Sequence, residues 1–341
     1  MSTAVSILVK SFNRPYYLDR CLRSIYEQVT GNFTITVLDD GTPPAYLAEI
    51  TRRYPQVHIV RSDLYDAKVA QLEAHAAGGP KFSLRLIPTQ LWIAGVEAAT
   101  PIFCLLEDDI WMTHPVNLTE LADYMQARQV VMTKFYWGGN MNTFKADMGV
   151  RSNGLQEYSL TLPAGPGWWL RALLLNRFKL HSVLHRLGLA KEGIYFQLPF
   201  YGLYSVASAA FRKDYWLNLW SAGQKQADEV HQLARALRWT RQHLARFAKS
   251  EVELTQTSFT SSATNMFKDV DFDVITANHY LNQAWLQGRF DVMQGYPRDF
   301  DPAALKFVFD DANDPRCTYA NWLRWIERFK QVYASMGVIV D

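Results

Sequence analysis

Cysteine is scarce. Cys21, Cys104 and Cys317 are the only three in 341 residues, they lie far apart, and none sits in a Cys-x-x-Cys spacing. That excludes a disulfide scaffold and a cysteine metal knuckle, and the expected state is buried thiols in a reducing compartment. Long apolar runs are missing too: nothing reaches the roughly eighteen residues of a membrane-spanning helix, so no integral membrane protein is expected. Met1 to Ala4 lead directly into an apolar strand, without the basic region and apolar core of a secretory leader. The expected location is therefore cytoplasmic, with the inner face of a membrane as a peripheral option. Neither charge sign is in excess, and a formal net charge of +2 gives no push toward nucleic acid. No repeat, no low-complexity tract and no His-x-x-x-His spacing occurs. What remains is a globular composition, 49% hydrophobic and 20% charged, long enough for one large domain or two.

The informative residues stand at the ends of predicted strands. Val5 to Val9 run into Lys10-Ser11-Phe12-Asn13-Arg14-Pro15, Thr34 to Leu38 into Asp39-Asp40-Gly41, and Ile102 to Leu106 into Glu107-Asp108-Asp109. Helical segments at Tyr16–Gln28 and Ala45–Tyr54 separate the early strands, and His58 to Val60 reads as a further strand. Such alternation predicts parallel strands with crossover helices. In an open α/β sheet the ligand crevice lies outside the carboxyl ends of the strands, so the three polar ends are expected in one cleft. Acidic tips gathered there ask for a cation. Asp109 is the first candidate ligand for Mg²⁺ or Mn²⁺, hard ions that carboxylate oxygens hold. The same acids could simply cap the following turn. Phe12 offers a flat apolar surface, with stacking worth about 1 kcal/mol, and Asp40 a hydrogen-bond acceptor; turn formation would also account for Asp39-Asp40-Gly41-Thr42-Pro43.

Val5-Ser6-Ile7-Leu8-Val9 with Phe12-Asn13-Arg14, the amphipathic Leu18, Leu22, Ile25 and Tyr26, and Val37-Leu38-Asp39-Asp40-Gly41-Thr42 together resemble the opening of the family-2, GT-A fold nucleotide-sugar glycosyltransferases. Ala94 to Ala99 before Glu107-Asp108-Asp109 is similar to the helix and strand preceding that family's metal motif. The resemblance covers the first third of the chain well, the second loosely, and nothing beyond about residue 250. It implies a Rossmann-like α/β fold, a mainly parallel sheet flanked by helices, and a mostly helical C-terminal extension. Residues 1–250 would form the catalytic domain, 1–110 binding the nucleotide-sugar and 111–250 the acceptor, with 251–341 as extension or lid. It further implies donor contacts from Ser11, Phe12, Arg14, Asp40 and Asp108. A basic residue meeting the diphosphate would be Arg85, although Gln90 competes for the aligned position. Lys10 departs from the small or hydroxyl residue usual there.

The implied activity is inverting transfer of a sugar, from a UDP-sugar by preference, to a hydroxyl of a glycan or lipid-linked acceptor, an N-acetylhexosaminyl or hexosyl transfer in type. A nucleotidyltransferase acting on sugar phosphates is the rival, disfavoured because no glycine-rich loop with a following lysine lies near the first strand; a non-catalytic sugar-binding protein of the same fold is the other. Inversion needs a general base, and Asp228 or Glu229, at the head of a predicted helix over 226–249, fits by resemblance, Asp228 preferred and Asp214 held in reserve. Two acids capping a helix are the plain alternative. His114, His231 and His279 are expected to be ordinary residues. Leu203 to Phe211 reads as a strand, the helix over 226–249 has Val230, Leu233, Leu237 and Leu244 near one face, and Thr255 to Thr264, rich in Ser and Thr, reads as a loop. Trp168 to Lys191 is apolar and basic without an acid. Packing on the core or on a partner subunit is favoured for it, and an anionic membrane surface is the alternative.

Overall fold

The computed structural model describes residues 4–140, 146–162, 165–191, 193–220 and 229–340. Nine strands form the main sheet: β1 (Val5–Ser11), β2 (Phe33–Asp39), β3 (His58–Arg61), β4 (Ile102–Glu107), β5 (Val130–Lys134), β6 (Ala146–Ser152), β7 (Leu155–Leu160), β8 (Ala209–Arg212) and β9 (Arg246–Ser250). Their spatial order is β3-β2-β1-β4-β8-β5-β9-β7-β6. The four strands β3, β2, β1 and β4 run parallel, as the crossover helices Pro15–Gln28 and Pro44–Arg53 require. Beyond β4 the sheet turns mixed: β8 is antiparallel to β4 and β5, β9 is parallel to β5, and β7 pairs antiparallel with both β9 and β6.

Both faces of the parallel half are covered, which is why its strands read as continuous apolar runs. Ile7, Val9, Ile35, Val37, Cys104 and Leu106 enter one core with Tyr16, Tyr17 and Leu22 of the first helix. Leu8, Leu38, Phe103 and Leu105 point the other way, into a core shared with Val96, Phe211 and Trp216. The expected elements of the first 110 residues are all present, within a residue or two at their ends.

Farther on, the sequence reading departs from the structure. The long helix expected over 226–249 is a helix at Glu229–Gln242 followed by β9. Leu244, read as part of the apolar face, is exposed, whereas Phe247 and Ala248 are buried in the sheet. The segment expected as a strand over 203–211 pairs only at Ala209–Arg212. The β6–β7 hairpin carried no expectation. Thr255 to Thr264, taken as a loop, contributes Thr255–Thr257 to a two-stranded pairing with Ile110–Met112.

The C-terminal region is mostly helical, with helices at Val274–Leu286, Lys306–Ala312 and Tyr319–Ser335. Trp285, Phe290, Phe300, Trp322 and Trp325 lie in the same core as Tyr16, Tyr17 and Trp111. Arg20 ties the two regions together. Its guanidinium donates to the carbonyls of Val292, Gln294 and Arg298 and lies 4.4 Å from the Trp111 ring centre and 4.6 Å from that of Phe300. Tyr17 adds its hydroxyl, which donates to Asp299 at 2.7 Å. Removing the Arg20 donors would strand buried carbonyls, each costing about 1–3 kcal/mol. We therefore predict that Arg20→Met lowers unfolding free energy in urea by about 2–5 kcal/mol and speeds proteolysis within 290–300. Wild-type stability and protease resistance would disprove this coupling.

Candidate functional site

Strand register builds the cleft. Ser11 is level with Asp39 and Lys10 with Glu107, so the three polar strand ends meet at one edge, as expected. Asp39 does not face ligand. It accepts from the amides of Gly41 (3.0 Å) and Thr42 (2.8 Å) and from Thr42 Oγ1 (2.6 Å), and so shapes the turn. Burial lifts its carboxyl to about 6, against the lowering effect of those donors. Gly41 has φ of +140°, and a Cβ there would come within 2.9 Å of Lys68 Cβ and 3.2 Å of the Phe12 ring. Only glycine lets the turn lie this close to both.

Asp40 sits in the cleft wall with both oxygens engaged: Ser62 Oγ donates to one at 2.6 Å and Lys68 Nζ to the other. Burial raises its carboxyl, and Lys68 and Ser62 oppose the rise. A carboxylate has about four acceptor positions, so two remain for a ligand N–H. Phe12 is half-buried, its ring 5.7 Å from that of Phe82 and with Lys68 Nζ 5.5 Å from its centre. Lys68 also donates to Leu86 O. Arg85, the neighbour of Leu86, is exposed and has no recorded contact with the acids.

The acidic triplet is matched from β1. Lys10 Nζ pairs with Glu107 at 2.6 Å, donates to Val206 O at 3.1 Å, and lies 4.7 Å from the Trp92 ring centre. Arg14 bridges Asp108, at 2.5 Å, and Asp109, at 2.8 Å. Asp108 further accepts from the Phe12 amide at 3.0 Å. Burial raises the carboxyls of Asp108 and Asp109, with Arg14 acting against it. The same two acids raise Arg14 despite its own burial, so its charge is permanent. Lys10, Ser11, Phe12, Arg14, Asp40, Trp92, Glu107 and Asp108 line a cavity of about 160 Å³.

The donor set decides what cation fits. Asp108 is 3% exposed and holds Arg14 and the Phe12 amide, Glu107, 36% exposed, is tied to Lys10, and Asp109, 16% exposed, gives one oxygen to Arg14. Among the described residues no group of three or more His, Cys, Asp or Glu could hold a metal. The arrangement suits an ion held by Asp109 and completed by phosphate and water, the usual environment of Mg²⁺, and does not suit a protein cage.

Beyond Glu107 a second cavity opens, of about 290 Å³ and mainly aromatic, with Lys134, Tyr136, Trp137, Tyr201, Tyr204 and Tyr333 in its wall. Glu229 does not line it but stands behind Tyr201, whose phenol donates to the Glu229 carboxylate. Tyr333 is pushed up to about 12, by burial first and then by the negative charges of Asp109, Glu107 and Glu229. Asp228 lies outside the described residues. Asp214 is exposed, paired with Arg212, and stands at the opposite edge of the sheet, where Lys213 N bonds Pro101 O. Lys68, Trp92, Lys134 and Tyr201 were not among the residues picked from the sequence. Lys10 and Lys68 could have been sought as partners for buried acids; nothing in the sequence marks the other three.

Residues 6–74 match the model of glycosyl transferase family 2. The match covers 69 of the 341 residues, from the first strand through most of the third helix. The fold is mixed α/β, a large sheet flanked by helices with a mostly helical C-terminal region. Among solved structures the chain is similar to S. aureus TarS 1–349, at 12% identity and TM-score 0.38, over 91% of this chain and 71% of that one. For the same protein in complex with UDP-GlcNAc the values are 12%, 0.41, 91% and 72%. Against the longer S. aureus TarS chain, 91% of this chain aligns with 43% of that one, at 11% identity and TM-score 0.41. No curated protein sequence matches significantly.

Lys134 gives this site a pH signature. It is buried, donates to Tyr204 O at 3.2 Å, and burial lowers its ammonium to about 8. The unfolded chain binds the proton more tightly, so the folded state carries a cost below pH 8 that disappears as pH rises toward the unfolded value, about 3 kcal/mol at most. We predict that the stability difference, Lys134→Met minus wild type, is most favourable to the variant near pH 7 and shrinks toward pH 10. Thermal melts showing a pH-independent difference would refute the buried ammonium.

Proposed function

We propose that this chain is an inverting glycosyltransferase that moves a sugar from a nucleotide-diphosphate sugar, UDP-sugar by preference, to a hydroxyl of a glycan or lipid-linked acceptor. The observation that carries the reading is the register that sets Phe12, Asp40 and Glu107-Asp108-Asp109 at one edge, opening onto an aromatic cavity with Glu229 on its far side. The nucleoside would lie in the smaller cavity, its base against Phe12 and its N–H toward Asp40. Lys10 and Arg14 hold fixed positive charge beside the diphosphate position, where preorganised charge stabilises a leaving anion. Asp109 would hold Mg²⁺ or Mn²⁺ together with diphosphate oxygens; when bound, the ion neutralises charge on the departing diphosphate. Asp108 fixes Arg14 and the Phe12 amide. The aromatic cavity offers sugar rings flat apolar faces and excludes water from the reacting carbon. Within the described residues Glu229 is the base candidate, taking the acceptor hydroxyl's proton as its oxygen attacks from the face opposite the diphosphate. Tyr201 holds that carboxylate in place.

Two measurements test the reading. Titration calorimetry with UDP and Mn²⁺ should show that Asp109→Ala abolishes the metal dependence of binding, whereas Asp40→Ala weakens nucleoside binding with or without metal. Metal-independent UDP binding by the wild type would assign the diphosphate to Lys10 and Arg14 alone, and no UDP binding would dismiss the cleft. For the base, Glu229→Gln should keep donor affinity while turnover falls by about 10²-fold or more. Near-normal turnover in Glu229→Gln, with a full loss in Asp228→Asn, would move the base to Asp228.

A further inference from the structure

The segment from Gly165 to Lys191 is held at one end and open at the other. Its first helix, Gly167–Leu174, buries Leu170, Leu173 and Leu174 in the core beside Tyr158 and Leu237, which fixes how it stands on the molecule. The chain then turns at Arg177–Lys179 into a second helix, Leu180–Arg186, and neither of these elements buries a residue. The expectation of a helix packed on the core therefore holds only for its first turns. Large apolar side chains face water along the rest: Phe178 is 99% exposed, Leu189 72%, Trp168 69% and Leu187 65%. Soluble surfaces rarely gather so many, and such a patch marks an interaction site.

Charge identifies the partner. No acidic residue occurs between Glu157 and Glu192, while Arg171, Arg177, Lys179, Arg186 and Lys191 lie within the stretch. None of these five forms an ion pair with a described residue. Arg238, on the neighbouring helix Glu229–Gln242, and Arg177 both press on the Arg171 guanidinium, so like charges are gathered here without compensation. A second copy would bring the same positive face and be repelled. A surface that is apolar inside and negative outside would satisfy both features, and that describes an anionic lipid bilayer.

We propose that residues 168–191 dock this protein on an anionic membrane surface, Phe178, Trp168 and Leu187 entering the acyl boundary and the arginines and lysines meeting lipid phosphates. This stands independently of the glycosyl-transfer reading, since it invokes no residue of the cleft. A docked chain would work at the surface where lipid-linked molecules are presented.

Flotation of the full chain with vesicles tests it, comparing phosphatidylcholine alone with phosphatidylcholine containing about one-third phosphatidylglycerol. The wild type should float only with the anionic vesicles and release as salt is raised. Reversal of Arg177, Lys179 and Arg186 to Glu should lower partitioning by at least about tenfold. Trp168→Ser with Phe178→Ser should lower it several-fold while leaving salt sensitivity. All these side chains are exposed or half-exposed, and a melt and UDP titration of each variant show whether the fold is kept. Absence of wild-type binding, equal binding to both vesicles, or equal binding by the charge-reversed variant overturns the proposal. So does a concentration-dependent dimer that Phe178→Ser dissolves, if no vesicle binding accompanies it.

Discussion

Arg14 holds Asp108 and Asp109 at once, and the geometry of the cleft depends on this contact. A guanidinium is planar, carries five donors and never loses its charge, so one side chain can hold two adjacent carboxylates that would otherwise repel each other. The contact joins the loop after β1 to the loop after β4, and Lys10 with Glu107 repeats the connection one step deeper. Each acid at the rim thus arrives with a cation from the neighbouring strand. Burying either partner alone would be costly. Together they leave two carboxylates partly open at the rim, Glu107 at 36% and Asp109 at 16% exposure.

A similar constraint fastens the C-terminal third. Helix Pro15–Gln28 carries Tyr16, Tyr17 and Arg20 on the face that meets residues 258–300. The Tyr17 phenol lies within hydrogen-bond distance of Ser258 (2.5 Å) and Thr260 (3.0 Å), and Asp299 accepts from it and from the Thr260 amide. Polar groups inside a core are stabilising only when nearly all are satisfied. The Ser- and Thr-rich stretch that reads as a loop therefore supplies hydroxyls to a buried network. Its neighbours in the chain then bring Tyr333 and Val338 to the aromatic cavity, and Ile339 N bonds Gly138 O at 2.8 Å. The region expected as an extension or lid is joined to the first helix through a common core.

Legibility followed burial pattern. β1, β2 and β4 could be read because a strand covered on both faces shows an unbroken apolar run ending abruptly in polar residues. Asp40 and Asp109 could be read because acids directly after such runs must stand at a sheet edge. β9 is hidden in the sequence, since Val230, Leu233 and Leu237 set a helical period with which Leu244 is in phase; the side chain of Leu244 is exposed to water instead. The β6–β7 hairpin lies at the edge of the sheet, and β6 is largely exposed, so its alternation is weak.

The sequence by itself determined the parallel half-sheet, the acids at its edge and the basic apolar character of residues 168–191, because each is a property of neighbouring residues along the chain. It could not determine that Arg14 bridges Asp108 and Asp109, that Lys68 grips Asp40, or that Lys134, Tyr201 and Tyr333 share one cavity with Glu107. Those are pairings across 27 to 226 residues of sequence, and they exist only because crossover helices and strand register carry distant segments to the same edge. Whether the apolar residues of 168–191 are buried or presented to the surroundings was likewise decided by packing. The first turns find a core to enter, and Phe178 finds none.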